Sequence, residues 1–156
     1  MIELGELGFE VREERGVDTL VRLSPKHYNR LHPPGHVAVH VNVPATASIW
    51  QGIVVGPGMV IPDHAILRGP EAVLRSTDQV LVIGPVGRSR DWLTALFVPK
   101  GGGSREQGAD IWINRGCFCG TVEEFLEEVR LLAPAQRWVY ERLAEFLRVV
   151  ARERAG

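Results

Sequence analysis

From Val37 to Thr77 apolar residues recur at a step of six. Val37, Val43, Ile49, Val55, Ile61, Leu67 and Val73 form one column. Four places after each stand Val41, Ala47, Ile53, Met59, Ala65, Glu71 and Thr77, small or apolar except for Glu71. A helix repeats near 3.6 and a strand at 2, whereas a step of six marks coiling β-structure in which each hexad forms one short side. Three hexads make one triangular coil, so seven predict a short left-handed β-helix-like solenoid of a little over two coils. Pro44, Pro57, Pro62 and Pro70, with Gly52, Gly56, Gly58 and Gly69, suit a chain that turns a corner every few residues. So short an array leaves both ends of its core open to water, and repeat arrays close such ends with capping elements.

The flanking pattern supplies two caps. In residues 1–36, Leu7–Val11 and Thr19–Leu23 read as strands around a polar turn at Glu13–Gly16. Ser24–Gly35 holds three prolines and reads as irregular. Its Arg22, Lys26, His27, Arg30, His32 and His36 neighbourhood is positive and reads as a solvated loop. After Gln79 the step of six ends. Val80–Gly84, Trp92–Val98 and Ile111–Ile113 predict an antiparallel meander, with a turn at Gly84–Asp91 and an exposed loop at Gly101–Asp110.

Thr121-Val-Glu-Glu124 is a capping box that opens a helix with Val122, Phe125, Leu126, Val129 and Leu132 as its apolar stripe. Pro134 ends that helix and suits the first turn of a second, whose stripe is read as Trp138, Val139, Leu143, Leu147 and Val150. The predicted fold is therefore mainly β with C-terminal α. It comprises a cap over 1–36, a hexad solenoid over 37–78, and a meander with two helices over 79–156.

Composition narrows the class. At 45% apolar and 24% charged residues the chain is that of a globular protein rather than a disordered one. A net charge of −1 gives no bulk attraction to nucleic acid or anionic membrane. No apolar run approaches the roughly 18 residues of a membrane span, and the start lacks the basic and apolar regions of a secretion signal, so a cytoplasmic setting is expected. Arginine outnumbers lysine sixteen to two, which suits a thermophile or a GC-rich genome.

One stretch carries a resemblance. Val82-Ile-Gly-Pro-Val-Gly-Arg-Ser-Arg-Asp-Trp-Leu-Thr-Ala95, followed by Arg115-Gly-Cys-Phe-Cys-Gly-Thr-Val-Glu-Glu-Phe125, resembles the C-terminal region of small uncharacterised phage and prophage proteins. In those, hexapeptide-like repeats precede a Gly-Pro-x-Gly turn and a Gly-Cys-Phe-x-Gly-Thr-x-Glu-Glu-Phe segment. The likeness covers roughly residues 50–130. Here the hexads are less regular, and Leu132-Ala-Pro-Ala-Gln136 replaces a His-Gly-rich link to the helices. The resemblance implies the solenoid architecture and a viral setting, either host cytoplasm or virion, and implies no activity.

Three chemistries were weighed. Acyl transfer, common among hexapeptide-repeat solenoids, would need a histidine base, and His36, His40 and His64 are the choices, with His64 or His40 preferred. His40 and His64 lie four hexads apart, one coil plus one side, so within one subunit they do not stack. A metal site at Cys117-Phe-Cys119 lacks ligands at zinc spacing, so no metal or other cofactor is expected. Cys117 reads as a buried apolar residue and Cys119 as incidental.

Anion binding is the third. The glycine-rich turn with Arg88, Ser89 and Arg90, joined by Arg115 and by Thr121 at a helix N-terminus, would offer guanidinium forks and amide hydrogens to a phosphate or nucleotide. No catalytic triad, paired-carboxylate motif or coiled-coil heptad stands out. The sequence thus points to a non-enzymatic binding or assembly module, a homo-oligomer (trimer or dimer) that binds a host protein or small anionic ligand. An acyltransferase-like enzyme is the alternative.

Overall fold

A computed structural model describes residues 9–22, 35–99 and 109–155. The chain is mainly strands, followed by two helices. Among the described residues eleven strands run in order: β1 (Phe9–Glu14), β2 (Val17–Arg22), β3 (His36–Ala38), β4 (Ser48–Ile49), β5 (Ile53–Val55), β6 (Ile66–Leu67), β7 (Ala72–Leu74), β8 (Val80–Val86), β9 (Asp91–Pro99), β10 (Ala109–Arg115) and β11 (Phe118–Thr121). Helices α1 (Val122–Val129) and α2 (Pro134–Ala155) follow. The predicted irregular Ser24–Gly35 segment, apart from Gly35, and most of the Gly101–Asp110 loop lie outside the described residues.

Between Gly35 and Gln79 the pairing is parallel and spans a fixed number of residues. His36 lies opposite Val54 and Val37 opposite Val55, each eighteen residues on; Ser48 and Ile49 lie opposite Ile66 and Leu67 at the same interval. The backbone ladder repeats that register: Ser48 N–H donates to Ala65 O and Trp50 N–H to Leu67 O, both at 2.9 Å. Four residues with positive φ, His40, Gly52, Gly58 and His64, fall on the same step of six, and Gly69 stands one place off it. Glycine takes this left-handed conformation without penalty, and histidine is among the few other residues that visit it with any frequency.

The step slips once. From β5 to β7 the interval becomes nineteen, with Ile53 opposite Ala72 and Val55 opposite Leu74. The extra residue falls between Leu67 and Ala72. The inward columns therefore end on Leu74 and Ala72, both buried, while Val73 is half-buried and Glu71 and Thr77 are exposed. Glu71, the one charged residue in the predicted second column, is outside because the slip moves it there. Val43, also predicted inward, is exposed.

The inner cluster of these sides is Ile53, Val55, Met59, Ile61, Ala65, Leu67, Ala72 and Leu74, joined by Val80 and Leu96 of the following sheet. Each leucine or isoleucine so buried is worth about 1.5–3 kcal/mol. At one edge the β1–β2 hairpin continues the sheet, with Thr19 opposite Ala38 and Leu20 opposite Val37. Arg15 in its turn donates to Gly52 O at 2.6 Å, and Glu14 lies 3.6 Å from His36.

The other end meets the four-stranded antiparallel sheet β11-β10-β9-β8. Alternation divides its two faces cleanly. Leu93, Ala95, Phe97, Ile111 and Ile113 pack with the helices through Val122, Phe125, Val129, Tyr140, Ala144 and Leu147. Val80, Val82, Leu96, Val98 and Trp112 face the cluster built around Ile53, Val55, Leu67 and Leu74. The predicted meander thus has a fourth strand, Phe118–Thr121, whose four residues include Gly120 and carry little apolar signal of their own.

Two buried polar residues join the four-stranded sheet to the β6 segment. Thr94 and Asn114 are cross-strand partners on β9 and β10. Thr94 Oγ1 accepts the amide of Ile66 at 2.9 Å, and Asn114 Nδ2 donates to Arg68 O at 2.9 Å. The edge of β6 that faces away from β4 thereby finds side-chain partners in place of backbone ones.

Candidate functional site

The turn between β8 and β9 is built by Gly87, Arg88, Ser89 and Arg90. Val86 pairs with Asp91 below it, Arg90 N–H donates to Gly87 O at 3.2 Å, and Gly87 and Arg90 take positive φ. The side chains of Arg88, Ser89 and Arg90 are exposed. Neither arginine side chain makes a hydrogen bond or ion pair among the described residues.

Arg115 ends β10, opposite Leu93 on β9 and Phe118 on β11. This register places it below the turn. Its Nη2 lies 3.2 Å from Asp91 Oδ2, and its guanidinium carbon sits 4.4 Å over the ring of Tyr140 from α2. Its Nε is buried and has no partner. Tyr140 is 1% exposed, packs edge-on against Phe125 at 5.8 Å, and its hydroxyl is likewise buried without a partner. A Cβ on Gly87 would collide with that hydroxyl, so the turn's backbone closes directly over Tyr140.

Two polar hydrogens, Arg115 Nε–H and Tyr140 O–H, are therefore held beneath a basic turn with no acceptor. Buried polar groups in native proteins nearly always have a partner, and these two call for an oxygen. The turn above them carries Arg88 and Arg90, and Arg115 is itself paired with the carboxylate of Asp91, so the chemistry of the place suits an anionic oxygen better than a neutral one.

Of the predicted anion ligands, Arg88, Ser89, Arg90 and Arg115 are thus brought to one end of the sheet. Thr121 is not. It pairs with Trp112, three residues down β10 from Arg115. Its hydroxyl accepts Glu124 N–H at 3.3 Å while Glu124 Oε1 accepts Thr121 N–H at 3.1 Å, so the predicted capping box is formed and that hydroxyl is engaged.

The histidines proposed as bases sit in structural positions. His40 and His64 are left-handed corner residues. His64 N–H donates to Thr46 Oγ1 at 2.9 Å, and its ring stacks on Trp92 at 4.1 Å, with the planes 7° apart. His36 faces Glu14. The cysteines reverse the expected roles: Cys117 is exposed in the β10–β11 turn, and Cys119 is the packed one, its Sγ against Gly69 and donating to Arg68 O at 3.6 Å. Among the described residues no group of three or more His, Cys, Asp or Glu side chains is placed to hold a metal ion, and no helix is long and apolar enough to cross a membrane.

Tyr140 and Asp91 escaped the sequence reading. Tyr140 had a signal, since Tyr140, Ala144 and Leu147 stand at helical spacing and are the buried face of α2. The expected stripe began instead at Trp138, which is exposed. A concavity of about 470 Å³ lies beside the β1–β2 turn, lined by Glu14, Arg15, His36, Gly52, Ile53 and Glu71. There Glu14 faces His36 and Arg15 is bonded to Gly52 O.

No protein-family model, no curated protein and no solved structure matches this chain.

Proposed function

We propose that this chain is a non-enzymatic binding or assembly module of the phage or prophage kind its motifs resemble, and that it takes a small phosphate-bearing anion under the Gly87–Arg90 turn. Its scaffold is a short left-handed β-solenoid. The eighteen-residue interval of the parallel pairs and the corners at steps of six support that reading of the hexads. The observation that carries the binding function is the pair of unpartnered buried donors, Arg115 Nε–H and Tyr140 O–H, beneath two exposed arginines. An incoming phosphate oxygen fills both, while Arg88 and Arg90 hold the remaining charge from the solvent side. The turn moves to admit it, because in the closed form Gly87 rests on the tyrosine hydroxyl.

The acyltransferase alternative gains no support from a particular residue, since His64 is committed to a corner and to Trp92.

Thermal denaturation with inorganic phosphate and nucleoside monophosphates tests the binding. At ten times its Kd a ligand adds about 1.4 kcal/mol to stability, which raises the Tm by roughly 3–6 °C for a chain of this size. Replacing Arg88 and Arg90 by alanine should abolish that rise and leave the ligand-free Tm unchanged, because both side chains are exposed. A Tm indifferent to every phosphate compound overturns the proposal.

A further inference from the structure

Helix α2 runs for 22 residues, about 33 Å, and buries one side with Tyr140, Ala144 and Leu147. Nearly opposite that side is a second line of residues. Trp138, Arg142, Glu145 and Val149 follow each other at intervals of four, three and four, so they share one face, and Phe146 flanks them. Trp138 is 60% exposed, Phe146 51% and Val149 50%. Two large aromatic side chains and a valine lying open along one helix face make a surface of the kind that pairs with another protein. The sequence alone did not separate this face from the core face, because Trp138 and Val139 were counted toward the core.

We infer that this face is where a second copy of the chain docks, helix against helix and antiparallel, about a two-fold axis level with the Leu143–Ala144 step. The charges choose this occupant. About that axis each residue meets the one whose number completes 287, so Trp138 of one copy faces Val149 of the other, and Arg142 faces Glu145. Both apolar ends then cover one another, and the central contacts are two opposite-charge pairs. The face is complementary to itself, as a two-fold interface requires. A parallel pairing instead sets Arg142 against Arg142 and Glu145 against Glu145, which is repulsive. In the single chain, Arg142 already reaches Glu145 at 3.0 Å and lies 5.6 Å from the Trp138 ring, so the same three side chains are ordered before a partner arrives. The contact is a stripe of three to four turns, at the small end for a stable interface, so the dimer is one that dilution dissociates.

This inference is independent of the anion site. The β8–β9 turn binds or fails to bind whatever the state of this face. Sedimentation velocity over a thousandfold range of concentration should pass from a species of 17.3 kDa to one of twice that mass. Val149→Glu and Arg142→Glu should each weaken association at least tenfold, and Arg142→Glu with Glu145→Arg should restore it. Geometry is tested separately in a background with Cys117 and Cys119 replaced by serine. There Trp138→Cys with Val149→Cys should give a disulfide-linked dimer on oxidation. Either substitution alone should not, since in the antiparallel pair identical positions lie about 16 Å apart along the axis. A chain of single mass at every concentration, an assembly larger than two, association unchanged by Val149→Glu, or crosslinking by a single cysteine would each overturn the inference.

Discussion

Asn114 and Arg68 hold each other at both ends. Asn114 Oδ1 accepts from Arg68 Nε at 2.9 Å, and Asn114 Nδ2 donates to Arg68 O at 2.9 Å. Arg68 continues to the β10–β11 turn, donating to Phe118 O at 2.9 Å and Gly116 O at 3.3 Å, and covers Trp50 from 5.3 Å. Through these contacts the segment around β6 and the four-stranded sheet act as one unit.

Asn114→Leu removes both bonds and leaves a buried carbonyl and part of a guanidinium without partners. The expected cost is about 3 kcal/mol, seen as a fall in Tm of roughly 6–12 °C. A double-mutant cycle with Arg68→Met should show strong coupling, because most of the cost of the first change is the stranding of its partner.

Thr94→Val keeps the shape of the side chain and deletes the acceptor for Ile66 N–H. Stability should fall by about 1–3 kcal/mol. In hydrogen exchange the Ile66 amide should lose more protection than the neighbouring Leu67. Equal protection of Ile66 in both proteins would mean that Thr94 does not close the edge of β6.

The slip between Leu67 and Ala72 separates two adjacent residues. Glu71→Ala should change stability by no more than about 0.5 kcal/mol, whereas Ala72→Glu places a charge in the core and should cost more than about 3 kcal/mol. Urea denaturation of the two variants decides it. The opposite order would restore the uninterrupted step of six.

That slip also shows where the sequence stops being legible. Five of the seven hexads mark their inward side through one aliphatic residue each, Val37, Ile49, Val55, Ile61 and Leu67, and the capping box at Thr121 marks the helix start, because both signals are local. An added residue in Gly69-Pro70-Glu71 leaves no local mark: it becomes visible only when Ile53 is set opposite Ala72 rather than Glu71. The same holds for the site. Gly87 and Arg88–Arg90 are legible as a basic turn, but the partners beneath it come from β10 and α2, and nothing in the spacing of Arg115 and Tyr140 says that they share a ring-and-guanidinium contact. Strand β11 was missed for a related reason: Phe118-Cys-Gly-Thr121 is held by pairing to β10 and by Arg68, not by its own propensity.

Tyr140→Phe separates stability from binding. Deleting a hydroxyl that has no partner should leave the ligand-free protein as stable as before, or more stable by up to about 1 kcal/mol. Phosphate binding, followed by calorimetric titration, should weaken several-fold. A clear loss of ligand-free stability would show that the hydroxyl is already satisfied. Gly87→Ala should be costly in contrast, since the added carbon meets the Tyr140 hydroxyl and φ there is +73.

Arg115 is the residue most directly open to test. Its Nε–H is buried, and its signal in a ¹H–¹⁵N spectrum can be followed during titration with inorganic phosphate. Binding as proposed moves that signal in a saturable way, together with the amides of Gly87 through Asp91, and leaves the amide of Thr121 in place. If the Arg115 Nε–H signal stays fixed while phosphate is raised to tens of millimolar, or if the shifts gather at Thr121 instead, the turn is not the anion site.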